Sequence, residues 1–208
     1  MKKVNPDELK AMKTEVGAFI GRLLMQGDRA AVVLGVARLD VALEAALRSL
    51  MSHHPDGQDN LFDPDRPLGT LSAKIALAHR LGVIDQDVEH ALQIIRKIRN
   101  EFAHSIEDET LSVQRHRDRL RSSTSRFREM AVWNAIAIRF ETLSISDALK
   151  EFALLLSIII VNLEVFARME QRVTVPKLLH FGPEGGLYDT VLSTKDYHAI
   201  FENVPEKV

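Results

Sequence analysis

The stretch Gln86–His104, QDVEHALQIIRKIRNEFAH, decides how this chain folds. At about 100° per residue, Val88, Ala91, Leu92, Ile95, Ile98 and Phe102 fall on one arc of a helix. Asp85, just ahead of the run, is placed to cap it. Arg99 lies about 20° from Val88 after whole turns, so the pattern expects its side chain to point inward. A guanidinium cannot shed its charge, and burying one without a partner costs several kcal/mol. The segment 29–51, RAAVVLGVARLDVALEAALRSLM, offers that partner. Asp40 and Glu44 are four residues apart on one face of an otherwise apolar helix, with Arg48 a turn further on. Asp40 or Glu44 is therefore the expected carboxylate for Arg99.

Outward from this helix, glycine and proline punctuate the chain. Residues 53–69, HHPDGQDNLFDPDRPLG, hold three prolines and two glycines and read as a loop. Between Thr70 and Val175 there is no proline and only Gly82. Asn5-Pro6 opens a first helix that runs to about Gln26, and Gly27-Asp28 breaks the chain before a second helix that ends near Met51. Further helices are expected over Leu71 to Arg80, Leu111 to Arg121, Ser125 to Glu141 and, capped by Ser146, Asp147 to Glu170. The second helix is apolar nearly all round and should be the most buried. No alternating strand pattern and no internal repeat appear. The expected fold is all-α: an up-and-down bundle of six to seven helices over residues 1–172, with an irregular extension over 173–208 that holds one short element around Asp189 to Phe201.

Composition narrows the function. Of the 208 residues 46% are hydrophobic and 27% charged, the profile of an ordinary globular protein. A formal net charge of −2 gives no general attraction to nucleic acid or to anionic membranes. The absence of cysteine excludes disulfides, thiolate metal sites and thiol catalysis. The apolar run Phe152 to Val161 cannot be extended to a bilayer's width without taking in Lys150, Glu151, Asn162 and Glu164. The N-terminus MKKVNPDELK lacks the apolar core of a signal peptide, so a cytoplasmic protein that leaves membranes alone is expected.

Arg99, Asn100 and His104 gather at one helix end. Spacing alone leaves two readings open. In one, Arg99 is a structural tether and His104 meets the negative end of the helix dipole. In the other, a cation, an amide and a titratable imidazole form a polyanion or catalytic site.

The segment Asp63 to His104 resembles the hallmark region of the mannitol operon repressor family. The elements are Asp65, Pro67-Leu68-Gly69, Leu71, Leu81-Gly82-Val83-Ile84, Asp85 and Arg99 through His104, in order, within a similarity that extends over about residues 30–170. The resemblance implies an all-helical bacterial protein that represses a carbohydrate-uptake operon through protein partners. Consistent with that, no helix-turn-helix with base-reading side chains is found. Arg99, Asn100 and His104 also resemble the motif of HEPN-domain ribonucleases, helical bundles that usually dimerise. That resemblance implies a metal-independent endoribonuclease, a toxin or defence component. Arg99 would stabilise the phosphorane charge, His104 would act as general acid or base, and Asn100 would orient them.

Three further features bear on these alternatives. The segment RHRDRLRSSTSRFRE carries Arg115, Arg117, Arg119, Arg121, Arg126 and Arg128, which either contact nucleic-acid phosphates or pair with the acids Glu107 to Glu109. His53, His54 and the aspartates after them lack the fixed spacing of a metal site, so no metal or other cofactor is expected. The apolar helix over Phe152 to Phe166 exceeds what one bundle needs, with Asn162 as a polar residue that would set register, and predicts a homodimer.

Overall fold

The computed structural model describes residues 5–51, 60–106, 109–169, 180–181 and 187–188. The chain divides into two units, Met1–Arg172 and Val173–Val208. The first is all α-helical, with seven helices among the described residues: α1 (Pro6–Leu24), α2 (Gly27–Leu50), α3 (Leu71–Arg80), α4 (Gln86–His104), α5 (Gln114–Thr124), α6 (Ala131–Glu141) and α7 (Asp147–Arg168). In the second unit, His180–Phe181 pairs antiparallel with Leu187–Tyr188, and the element expected near Asp189 to Phe201 lies outside the described residues. No described helix is long and apolar enough to cross a membrane.

The helix starts follow from local chemistry. The side chains of Asn5, Thr70, Asp85 and Ser146 each accept a hydrogen bond from a first-turn amide of the helix they precede. Gly27 takes φ +79° and lets α2 begin two residues after α1 has ended. Two boundaries differ from expectation. α5 starts at Gln114 rather than Leu111, because Leu111 is wholly buried and its amide is held by Asp28 Oδ2 at 2.7 Å, which keeps it outside the helix. The helix expected over Ser125 to Glu141 is interrupted: a 3-10 turn at Phe127–Glu129 leads to Met130, which is extended at φ −79°, ψ 135°, before α6 begins.

The core is built on two helices rather than one. α2 buries ten residues and α7 twelve, and they pack against each other along their length. Their approach is close enough that a Cβ on Gly35 of α2 would meet Leu156 Cδ1 of α7 at 2.6 Å. α7 is thus largely covered within its own chain, and only part of the apolar surplus read from its sequence faces outward. Each large aliphatic side chain sealed in this seam contributes roughly 1.5–3 kcal/mol. A second tie is ionic: Glu164 of α7, 5% exposed, is bound by Arg38 of α2 and by Arg168 of its own helix, and Arg38 also reaches Glu15 of α1 at 3.0 Å.

The remaining helices close over this pair. Lys74 of α3, only 3% exposed, places its ammonium 2.9 Å from Asp40 and 2.8 Å from Glu44 on α2. Glu44 also accepts from Arg48 Nε at 2.9 Å, and the Arg48 guanidinium lies over the ring of Phe62 at 4.3 Å. Phe62 belongs to the loop that precedes α3. That loop is tightly wound: Arg66 donates to Asp63, Gly69 to Arg66 and Leu68 to Leu61, all between backbone groups. Gly69 is required there, since a Cβ would come within 2.2 Å of Asp63 O and 2.6 Å of Pro64 O.

Gly69→Ala should therefore force the loop open and lower stability by about 1–3 kcal/mol, the range for inserting a carbon into a full site. A urea titration followed by circular dichroism measures this; an unchanged midpoint would contradict it.

Candidate functional site

The sequence pointed to the last two turns of α4, and the structure fixes how that end is held. Arg29, in the first turn of α2, donates from Nη1 to Phe102 O at 2.8 Å and to Ser105 O at 3.1 Å. A cation thus meets the unsatisfied carbonyls of the helix C-terminus, where the dipole is negative. Asp28 beside it holds the Leu111 amide, so both ends of the segment between α4 and α5 are pinned to the start of α2.

Arg99 does not point into the core. It is exposed, and its guanidinium donates to Asn100 Oδ1 at 3.2 Å. Nor do Asp40 and Glu44 serve it, because both hold Lys74. The reason lies in the true centre of the buried arc. Ile94 is buried on α4 along with Ala91, Leu92, Ile95, Ile98 and Phe102, and it draws that centre away from Val88, which is only half-buried. Measured from the real centre, Arg99 sits near the edge of the arc. There a long cationic side chain reaches water at little cost.

Asn100 is half-buried and His104 is exposed, one turn apart on the same face. The His104 ring has no partner among the described residues. Arg99 stands about 100° round the helix from Asn100, so the hydrogen bond between them runs sideways along the surface rather than into a cleft. The three side chains form an exposed polar strip, with an imidazole that no carboxylate orients.

The arginines of α5 and the following turn are mostly engaged with acids. Arg115 meets Glu109 at 2.6 Å and Glu101 at 3.4 Å, and Arg119 meets Glu101 at 2.6 Å. Arg126 lies 3.3 Å from Asp87 and 3.4 Å from Glu129, and Arg128 lies 2.7 Å from Glu151 and over the Trp133 ring. Arg117 donates to Gln114 at 2.6 Å, while Arg121 is exposed with no partner among the described residues. Of the acids expected as partners, Glu109 is one; Glu107 and Asp108 lie outside the described residues.

Within this network sits a residue the sequence reading passed over. His116 is completely buried against Phe102, ring centroids 5.2 Å apart, with Nε2 2.9 Å from Glu109 Oε1. Its Nδ1 is buried with no hydrogen-bond partner among the described residues. The signal was present: His116, Leu120 and Phe127 recur at helical spacing and all are buried. His116, Glu109, Glu101, Arg115 and Arg119 tie α5 to the end of α4, with the imidazole as a structural element.

Among the described residues no group of three or more His, Asp or Glu is placed to hold a metal ion; His53, His54 and the polar residues up to Asp59 lie outside them. Comparison with protein-family models, curated proteins and solved structures finds no match for this chain.

Lys74 and Glu44 carry opposite pKa shifts. Burial alone would raise Glu44, but hydrogen bonds from Lys74 and Arg48 outweigh it and hold the carboxyl below the ordinary glutamate value of 4.5. Burial alone would lower Lys74, but Glu44 and Asp40 outweigh it and raise the ammonium above its ordinary 10.5. The stabilisation from Glu44 is then fully present above its unfolded value and lost as pH falls through the folded one. That from Lys74 is present below 10.5 and lost as pH rises through its raised value. The stability difference between wild type and Glu44→Gln should accordingly shrink as pH falls below about 4.5. Denaturant titrations at a series of acidic pH values test this, and a difference independent of pH would contradict it. Arg99→Ala, by contrast, should change stability by less than about 0.5 kcal/mol, as for other exposed positions; a loss of several kcal/mol by the same titration would restore the inward tether.

Proposed function

We propose that the chain is an all-helical regulatory protein of the mannitol operon repressor type, which represses a carbohydrate-uptake operon in the cytoplasm through protein contacts. The observation that carries this reading is the neutralisation of the arginine-rich segment. Arg115, Arg119, Arg126 and Arg128 each face a carboxylate, which leaves Arg117 and Arg121 as the segment's uncompensated cations for a phosphate backbone. A ribonuclease needs a free cationic surface, and it also needs an arginine and a histidine converging on one phosphate. The rigid loop at Pro67-Leu68-Gly69 and the α3–α4 pair that carry the resemblance are structural features, in keeping with a scaffold that presents a surface. On this reading the exposed strip Arg99, Asn100 and His104 contacts the protein partner, with hydrogen-bonding groups that its own fold leaves open.

Two measurements together test the proposal. Transcript profiles of bacteria with and without the gene should show a carbohydrate-uptake operon derepressed in its absence, and a folded Arg99→Glu/His104→Ala protein should fail to restore repression. Purified protein incubated with single-stranded and structured RNA in EDTA should leave both intact. RNA cleavage lost in His104→Ala would overturn the proposal in favour of the endoribonuclease, and unchanged transcripts would remove the regulatory role.

A further inference from the structure

Helix α6 is anomalous for a bundle element. Eight of the eleven residues in AVWNAIAIRFE are apolar, yet Trp133 alone is buried, whereas the far more polar α5 buries four side chains. Ile138 is 64% exposed, and Met130 and Val132 are exposed by 42% and 40%. Burial of apolar surface is the main force for folding and association, so a helix of this composition calls for a cover that the described residues do not supply.

An open apolar groove of about 590 Å³ lies between the start of α4, the 3-10 turn and the second half of α7. Val88, Val165, Phe166 and Met169 contribute to its lining, as does Met130, the residue from which α6 departs. Met130, 42% exposed, thus joins the groove to the start of α6. Asn162 also lines the groove; its Nδ2 donates to Ile158 O at 2.8 Å, which leaves its carbonyl oxygen for a partner. The lining holds three carboxylates, Asp85, Asp87 and Glu129, against the single guanidinium of Arg126, which pairs with Asp87 and Glu129 and leaves an excess of negative charge. On α6, Arg139 is exposed with no partner among the described residues.

We propose that α6 of one copy seats in this groove of a second copy, and the reverse, giving a two-fold dimer whose axis passes near Met130. A second copy is favoured as occupant because one chain carries both a convex apolar helix and a concave apolar groove, which meet at Met130. A two-fold rotation satisfies both at once, as an isologous interface requires. Arg139 then approaches a groove with an excess of negative charge, a complementarity that selects orientation. The inference concerns the assembly of the chain and stands whether or not the regulatory reading holds.

Analytical ultracentrifugation of the full chain should give a concentration-dependent dimer. Ile138→Asp should raise its dissociation constant at least about tenfold, the cost of losing one well-packed anchor, while its helical circular dichroism is retained. Because the chain has no cysteine, trapping is unambiguous. Oxidising a mixture of Ile138→Cys and Val165→Cys proteins should yield far more cross-linked dimer than either protein alone. A monomer at all concentrations, a dimer indifferent to Ile138→Asp, or a mixture that cross-links no better than the single variants would each overturn the proposal.

Discussion

One buried ammonium organises the first unit of this protein. Lys74 cannot leave its pocket without abandoning Asp40 and Glu44, and those carboxylates come from the helix that shares the centre of the core with α7. The contact fixes the register of α3 on α2. It thereby sets where the loop before α3 lays Phe62 against Arg48, and where the turn at Gly82 leads into α4. A buried ion pair is not in itself a strong source of stability, because desolvation cancels much of the attraction. Its value is geometric: any other seating of α3 would strand a charge in an apolar interior. Glu164 between Arg38 and Arg168 does the same for α7 on the opposite flank of α2.

Much of the helical layout was legible because caps and breakers act locally. Asn5-Pro6, Gly27, Asp85 and Ser146 announce their helices whatever packs against them. Two boundaries were misread, and the first is set by a tertiary contact instead. Leu111 is drawn out of α5 by burial and by Asp28, and Met130 interrupts a run that contains neither glycine nor proline. Periodicity could not anticipate the first, since the competing carboxylate of Asp28 comes from a distant part of the chain.

The candidate site was half legible for a related reason. Asp40 and Glu44 were recognised as acids in need of an inward cation, and they have one. The cation was misassigned because an arginine on α4 and a lysine on α3 are equivalent from the viewpoint of α2. What separates them is depth on their own helices. Lys74 lies between Leu71, Ile75 and Ala78 on the face that α3 turns to the core, whereas Arg99 borders the buried arc of α4. The arginine-rich segment was ambiguous for a different reason. Its charge is visible in the sequence, but its neutralisation depends on Asp87 and Glu101 of α4 and Glu151 of α7, which the fold brings alongside it. A surface that reads as polycationic in one dimension has four of its six arginines paired with acids in three.

The account rests on energetic coupling between Lys74 and the α2 carboxylates, which a double-mutant cycle measures directly. Lys74→Met, Glu44→Leu and the double variant, compared by chemical denaturation at neutral pH, should show a coupling energy of at least about 1 kcal/mol, as expected for groups in direct ionic contact. A parallel cycle with Arg99→Met and Glu44→Leu should be additive within about 0.5 kcal/mol. Additivity in the first cycle, or strong coupling in the second, would contradict the central role assigned to Lys74.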